Sequence, residues 1–291
     1  MNSLALYIST ILIWGSTWYA IKLQLGVVAP LASVAYRFAI AAVILMAWCR
    51  LRRLPLSFDR RAHGSMALLG LFLFSSNYAV FYYATEHVTT GLIAVLFSTI
   101  VIMNIAGGAV FLGNRVTAMV VAGAFIGIAG IALVFLPDFS RFSGFGIVLC
   151  VIGTALASLG NMVSAANSRR GLPVVQANAW GMSYGALFLF AAVLVSDVPL
   201  AFDFSAAYVG SLLYLAVLGS VVAFGCYLTL IGRVGPERAA YATVLFPIVA
   251  LVISAVLEDY RFTPTAVAGV ALVLAGNFLI TRPDRRRLSP A

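Results

Sequence analysis

Two stretches of the chain decide its organisation: "RVTAMVVAGAFIGIAG" at residues 115–130 and "RFTPTAVAGVALVLAG" at residues 261–276. They align at an offset of 146 residues, which pairs Gly123 with Gly269 and Gly130 with Gly276. Both lie in apolar runs long enough for a membrane-spanning helix. The pattern therefore predicts that one helical unit occurs twice in the chain.

Most of the remaining chain is equally apolar. Hydrophobic residues make up 63% of the 291 residues and charged residues 9%, whereas soluble domains carry about 25% charged residues. A bilayer core of about 30 Å requires roughly 20 apolar residues per helix. The sequence thus predicts an all-α integral membrane protein with ten transmembrane helices, near residues 4–21, 31–49, 65–84, 91–112, 117–136, 145–166, 176–195, 207–230, 239–257 and 264–281.

Basic residues are distributed unevenly between the two sides of this predicted bundle. When alternate loops are assigned to opposite sides, Lys22, Arg141 and Arg261 lie on one side and fourteen arginines lie on the other. By the positive-inside rule the arginine-rich side faces the cytoplasm, which places both termini there. The fourteen are Arg50, Arg52, Arg53, Arg60, Arg61, Arg115, Arg169, Arg170, Arg233, Arg238, Arg282, Arg285, Arg286 and Arg287.

The offset of 146 residues also superposes the fourth predicted helix on the ninth and the fifth on the tenth. It divides the chain into a first five-helix repeat, residues 1–143, and a second, residues 144–291. Because five is an odd number, the second repeat must cross the membrane upside down relative to the first. Such inverted repeats are typical of secondary transporters, although a duplicated structural bundle would show the same pattern.

The first two predicted helices carry short motifs in a defined order. These are Trp14-Gly15-Ser16, Lys22, Pro30, Arg37-Phe38 and Ala41-Ala42. In this order and spacing they resemble the drug/metabolite transporter superfamily, in particular its ten-helix exporters of the EamA type. The resemblance spans the whole chain and, within the family, is to bacterial exporters of amino acids, including aromatic amino acids. It implies a bacterial inner-membrane exporter that works by alternating access.

The fourth and ninth predicted helices depart from the pattern of that family. Its fourth helix often holds a proline near the middle and a glutamate just past the end, whereas this chain has no such proline and places Asn114 at the glutamate position. The ninth helix keeps Pro247, and Glu258 lies close to the corresponding position. We therefore expect that this chain lacks any family role played by paired glutamates on the fourth and ninth helices.

The resemblance also implies a central cavity lined by the first, third, fourth, sixth, eighth and ninth helices, with the others outside it. On the third helix, Phe74, Tyr78 and Tyr82 recur at four-residue spacing and so share one face, beside Asn77. Aromatic faces with polar tips suit a substrate that has a flat apolar body and a polar end. Packing within the core would require the same residue types.

Further polar or aromatic residues near the middle of predicted helices are candidates for substrate binding or for hydrogen bonds between helices. They are Trp14, Ser98, Asn104, Asn161 and Tyr214. Small residues and a proline within helices are candidate hinges, since proline removes a backbone hydrogen bond. The candidate hinge residues are Gly107, Gly108, Gly219 and Pro247.

No Asp or Glu falls in the middle of a predicted helix. Ion-coupled carriers usually hold a carboxylate within the membrane, so we expect transport down the substrate gradient without proton coupling.

Two cations lie near the motifs of the first two predicted helices. We expect Lys22 to reach the interface from the end of the first helix. For Arg37 we expect a structural role, snorkelling outward or bonding helix-end carbonyls, with substrate binding as the alternative.

Three other classes of protein are weaker readings of this sequence. A nucleotide-sugar carrier requires cations at substrate depth to meet phosphate, and Arg37 is the sole candidate; a drug carrier of the same superfamily and a membrane enzyme are further alternatives. The partners expected are a small-molecule substrate and the lipid bilayer, and no nucleic acid, because no continuous basic face is present. We predict no cofactor, no metal site and no enzymatic activity, and the sequence leaves the substrate, the direction of flux and the oligomeric state open.

Overall fold

The computed structural model describes residues 2–113, 116–135, 144–234, 241–258 and 262–281. Within these ranges the regular secondary structure is entirely helical, which confirms the predicted class. Asn114, Arg115, Arg141 and Arg261 lie outside the described residues. The helices, numbered in chain order, are α1 Ser3–Lys22; α2 Pro30–Leu51; α3 Arg60–Leu71, Phe72–Ser76 and Asn77–Ala84; α4 Thr90–Phe97 and Ile100–Leu112; α5 Ala118–Phe135; α6 Gly144–Arg169; α7 Val174–Val195; α8 Ala206–Leu213, Tyr214–Val222 and Ala223–Val234; α9 Tyr241–Leu257; and α10 Pro264–Thr281.

Seven helices in the described part of the chain are long and apolar enough to cross a membrane. They are α1, α2, α3, α4, α6, α7 and α8. Shorter apolar helices lie within α5, α9 and α10, at Val121–Val134, Leu245–Leu257 and Pro264–Leu279. The chain is therefore a multi-span helical membrane protein.

Helix α3 begins five residues earlier than the apolar window predicts. It starts at Arg60 because the Asp59 carboxylate accepts a hydrogen bond from the backbone N–H of Ala62 at 2.8 Å and caps the helix. Such a cap satisfies one of the N–H groups that the first helical turn leaves unpaired. The first turn is polar, so a count of apolar residues does not include it.

Two helices contain π-helical segments, Phe72–Ser76 in α3 and Tyr214–Val222 in α8. Within the second, the Ser220 hydroxyl donates to the carbonyl oxygen of Leu215, five residues earlier, at 3.0 Å. π-Helical segments are rare and occur frequently at functional sites. Their presence identifies the region between α3 and α8 as a candidate site.

Helices α5 and α10 contact each other through glycines. A Cβ atom built on Gly130 would lie 2.6 Å from the carbonyl oxygen of Gly269, and one on Gly276 would lie 2.5 Å from that of Gly123. The earlier glycine of each helix thus meets the later glycine of the other, so the two helices run antiparallel. Their backbones approach this closely because glycine has no side chain to separate them.

Aromatic side chains join α1, α3, α4 and α9 in the core. The ring of Trp18 lies 5.2 Å from that of Phe81 and 5.5 Å from that of Phe97, and Phe97 lies 6.0 Å from Phe246. Centroid distances of 4.5–7 Å are those of stabilising aromatic pairs. Four of the six helices expected around the interior therefore meet there directly.

Candidate functional site

Trp14 links α1 to the π-helical segment of α8. Its indole Nε1 donates to the carbonyl oxygen of Gly219 at 3.3 Å, and its ring lies 5.3 Å from that of Phe224 and 5.0 Å from that of Tyr227. The side chain is half-buried. Two residues predicted for different roles, Trp14 for substrate binding and Gly219 for a hinge, are thus in direct contact.

Tyr214 and Ser16 form a second link between α8 and α1, with 2.6 Å between their hydroxyl oxygens. The Ser16 hydroxyl also lies 2.7 Å from the carbonyl oxygen of Leu12. Serine has one hydroxyl proton, and donating it to that carbonyl leaves the Ser16 oxygen to accept from Tyr214. Tyr214 is half-buried, as Trp14 is.

Replacing Tyr214 with phenylalanine is expected to remove this bond and to lower the free energy of unfolding by about 0.5–1.5 kcal/mol. Ser16→Ala is the matched control, because it breaks the same bond and leaves the tyrosine hydroxyl in place. If Tyr214 contacts substrate, Tyr214→Phe raises the apparent KM in a transport assay and Ser16→Ala does not. Equal KM values in the two variants would contradict a contact with substrate.

Arg37 does not snorkel outward, contrary to expectation. Arg37 is 1% exposed, and its side chain faces α3 and α8 rather than the outside of the bundle. Its Nε donates to the Ser220 hydroxyl at 3.2 Å, and its guanidinium carbon lies 4.5 Å from the centre of the Tyr78 ring. The expectation was wrong because sequence position gives depth in a helix but not the direction of the side chain.

A layer of hydrogen bonds adjoins Arg37 where α1 ends. Tyr82 is fully buried, interacts with Arg37, and donates to the amide oxygen of Gln24 at 3.4 Å. The Gln24 amide nitrogen donates to the carbonyl oxygen of Tyr208 at 3.3 Å and to the Ser211 hydroxyl at 3.2 Å. Polar groups buried in a membrane need such partners, and here they connect α3 to α8 across the end of α1.

Asn104 and Asn161 are brought together from α4 and α6. The Asn161 amide nitrogen donates to the Asn104 side-chain oxygen at 3.3 Å, and both residues are half-buried. Ser98 is fully buried and donates to the carbonyl oxygen of Val95 within its own helix. Asn77 is 3% exposed, and its side-chain oxygen has no hydrogen-bond partner among the described residues.

The candidate hinge residues occupy three helices. Gly219 lies within the π-helical segment of α8 and Pro247 within α9. On α4, Gly108 is buried, and a Cβ on Gly107 would meet the side chain of Met162 at 3.1 Å. An additional break lies between Phe97 and Ile100, at a position that the apolar pattern of α4 does not reveal.

Lys22 and Glu258 form an ion pair, which sequence analysis did not predict. The Lys22 Nζ lies 3.0 Å from a Glu258 carboxylate oxygen, and the Glu258 side chain is 1% exposed. The other carboxylate oxygen accepts from the backbone N–H of Thr90 at 3.1 Å and from its hydroxyl. The helix dipole of α4 favours the negative charge of Glu258 at its first turn, and that of α1 favours the positive charge of Lys22 at its last turn. Glu258 therefore connects α1, α4 and α9.

Two open grooves lie away from these residues. One, of about 500 Å³, runs between α2 and α7 and includes Val43 and Ala186. The other, of about 210 Å³, runs between α4 and α5 and includes Ile105 and Phe125. None of the predicted substrate-binding residues lines either groove.

Sequence analysis missed Gln24, Ser220 and the pairing of Glu258. Gln24 lies just beyond a helix end, and Ser220 follows a glycine in an apolar run. Each is unremarkable by residue type. Only packing brings Gln24, past the end of α1, to Tyr82 of α3, and Ser220 of α8 to Arg37 of α2. A signal did exist for Arg37, since an ionisable residue inside a membrane span is by default a functional candidate.

A multi-span helical bundle with buried polar contacts between broken helices is the architecture of a membrane transporter. The sequence pattern of the EamA-like transporter family matches residues 1–136 and again residues 144–282. The chain belongs to this family.

Several relatives are similar over nearly their whole length. YedA of Escherichia coli K12, described as an uncharacterized inner membrane transporter, is 30% identical over 288 residues, which cover 94% of this chain and 90% of that protein. YoaV of Bacillus subtilis, described as an uncharacterized transporter, is 24% identical over 284 residues, 96% of this chain and 97% of its own. One solved crystal structure shares the fold, with a TM-score of 0.70 and 18% identity over 99% of each chain.

Proposed function

We propose that this protein exports amino acids, with aromatic and other neutral side chains favoured, across a bacterial inner membrane by alternating access. The observation that carries the proposal is the set of aromatic and polar contacts between α1, α2, α3 and α8. There Trp14, Tyr78, Tyr82 and Tyr214 combine flat apolar faces with hydroxyl and indole groups. Side chains of these types suit a ligand with an aromatic body and a polar end.

The proposal includes an arrangement of the ten helices as two inverted repeats, residues 1–143 and 144–291, as in many alternating-access transporters. Three observations support this arrangement. The family pattern matches each half separately. The glycines of α5 and α10 meet reciprocally and antiparallel, as the contact across a two-fold axis requires. The π-helical segments lie in α3 and α8, the third helix of each half, and overlap at the offset of 146 residues.

The orientation proposed has both termini in the cytoplasm, on the basis of the unequal distribution of arginines. It places the end of α1, with Lys22 and Glu258, on the outer side. The description of YedA as an inner membrane transporter supports the location. The carboxylate of Glu258 lies past the end of α9, so transport without proton coupling remains the proposed mechanism.

A counterflow assay with purified protein in liposomes tests the substrate. Unlabelled neutral aromatic amino acids are expected to support uptake of a labelled one better than cationic drugs or nucleotide sugars. An imposed pH gradient is expected to leave the final accumulation unchanged. Preference for nucleotide sugars would overturn the substrate, and uphill accumulation driven by the pH gradient would overturn the uncoupled mechanism.

A nucleotide-sugar carrier is the weaker alternative for a specific reason. Its substrate carries a diphosphate, whose charge requires several cations at substrate depth. Arg37 is the one buried Lys or Arg among the residues whose burial is described. One cation matches one negative charge, which favours a substrate with a single carboxylate.

A further inference from the structure

The guanidinium group of Arg37 has unused hydrogen-bonding capacity inside the bundle. Arginine carries five N–H donors. One of them, on Nε, bonds to Ser220, whereas Nη1 is buried without a hydrogen-bond partner among the described residues. Among the described residues, no carboxylate forms an ion pair with Arg37. The ion pair found there joins Lys22 to Glu258.

A buried charge in this situation is costly. Moving an ion out of water is unfavourable unless an opposite charge and hydrogen bonds replace the lost hydration. The aromatic ring of Tyr78 at 4.5 Å and that of Phe38 at 5.4 Å contribute cation–π attraction. They offset the charge only in part and leave Nη1 without an acceptor.

We propose that Arg37 binds the carboxylate of the transported substrate through Nη1. The planar guanidinium matches a carboxylate in geometry and charge. The neighbouring rings of Phe38 and Tyr78 provide an apolar wall beside the carboxylate. This inference rests on the proposed function and adds to it a requirement that the substrate be a carboxylate anion.

Gly219 allows the backbone of α8 to approach the guanidinium of Arg37 closely. A Cβ atom at Gly219 would stand 3.5 Å from Nη2 and 2.9 Å from the methyl group of Thr17. A larger residue at this position would therefore press on Thr17 and on the proposed carboxylate-binding group. Gly219 and Ser220 both lie in the π-helical segment of α8, where a change of helical register would move them together.

The test compares a neutral aromatic amino acid with its carboxamide, which keeps the ring and the amine and lacks the carboxylate. Both compete against labelled amino acid in counterflow. Wild-type protein is expected to require about 10–140-fold more carboxamide for half inhibition, the ratio that corresponds to a charged hydrogen bond of about 1.5–3 kcal/mol. Arg37→Gln is expected to reduce that ratio to near one.

Arg50→Gln is the matched control, because Arg50 lies on the same helix and is exposed; it is expected to keep the wild-type ratio. Arg37→Lys keeps the charge without the planar fork and is expected to give an intermediate ratio. If Arg37→Gln does not fold, equal competition by acid and amide in the wild-type protein still overturns the proposal. An unchanged ratio in a folded Arg37→Gln protein would assign Arg37 a structural role.

The outcomes also separate this inference from the proposed function. Transport of amino acids with no preference for the carboxylate overturns the role of Arg37 alone. Counterflow that no amino acid supports, in protein that does carry another class of compound, overturns both.

Discussion

Replacing Gly276 with alanine is expected to force α5 and α10 apart and to lower the stability of the whole bundle. The new Cβ would lie 2.5 Å from the carbonyl oxygen of Gly123 and 2.7 Å from the backbone nitrogen of Gly127. These neighbours are backbone atoms and cannot turn away as a side chain can. Overpacking of this kind costs about 1–3 kcal/mol, although alanine is favoured over glycine within a helix by about 0.5–1 kcal/mol.

Gly225→Ala is the matched control for this prediction. Gly225 lies in α8. Apart from its chain neighbours and the nearby backbone of its own helix, no atom lies within 4 Å of the position that a Cβ would take. The same chemical change is therefore expected to leave the melting temperature in detergent unchanged or slightly raised. Equal melting temperatures for Gly276→Ala and Gly225→Ala would show that α5 and α10 are not in close contact.

Replacing Lys22 with methionine is expected to destabilise the protein more than replacing Glu258 with glutamine. Lys22→Met leaves the buried Glu258 carboxylate without a cation. Glu258→Gln removes the charge and keeps an oxygen that can accept from Thr90, while Lys22, with 43% of its side chain exposed, stays solvated. Breaking a buried ion pair costs about 3–5 kcal/mol, and solvent screening at Lys22 reduces this to about 1–3 kcal/mol.

A double-mutant cycle measures the pair directly. The variant with both Lys22→Met and Glu258→Gln is expected to be more stable than Lys22→Met alone, because the uncompensated carboxylate is gone. If the free-energy losses of the two single variants simply add up in the double variant, the ion pair does not hold α1 to α9. Thermal unfolding of the four proteins in the same detergent provides the comparison.

The same cycle has a consequence for transport. Glu258 connects the ends of α1, α4 and α9, so these ends must separate if that side of the bundle opens. We expect Lys22→Met to raise the rate at which a cysteine introduced at Ser33, a buried position near this end, reacts with a water-soluble reagent. An unchanged rate would show that the ion pair does not restrain opening.

Some of this architecture follows from the chain alone. The apolar windows predict where the helices lie, because a bilayer core imposes a length and a composition on anything that spans it. The glycines at 123, 130, 269 and 276 recur at the offset of 146 residues and so indicate a repeated helix, but their contact with one another is known only from the structure. The motifs around Trp14 and Arg37 were enough to indicate the family.

The contacts of individual polar side chains did not follow from the chain. Arg37 was expected to snorkel outward or to bond helix-end carbonyls, and no partner was predicted for Glu258. Both are buried, because α2 turns one face toward α3 and α8, and α9 ends beside the first turn of α4. Successive residues of a helix point about 100° apart around its axis. Which of these directions faces the interior depends on how the helix is rotated against its neighbours, and local sequence does not set that rotation.

The sequence by itself thus determined the membrane class, the approximate position of the helical segments and the family. The tertiary structure alone decided which polar groups meet: Trp14 with Gly219, Tyr82 with Gln24, and Lys22 with Glu258. The physical reason is that hydrophobic burial depends on composition along the chain. A hydrogen bond or an ion pair depends instead on distances of about 3 Å between residues far apart in sequence, and only packing sets those distances.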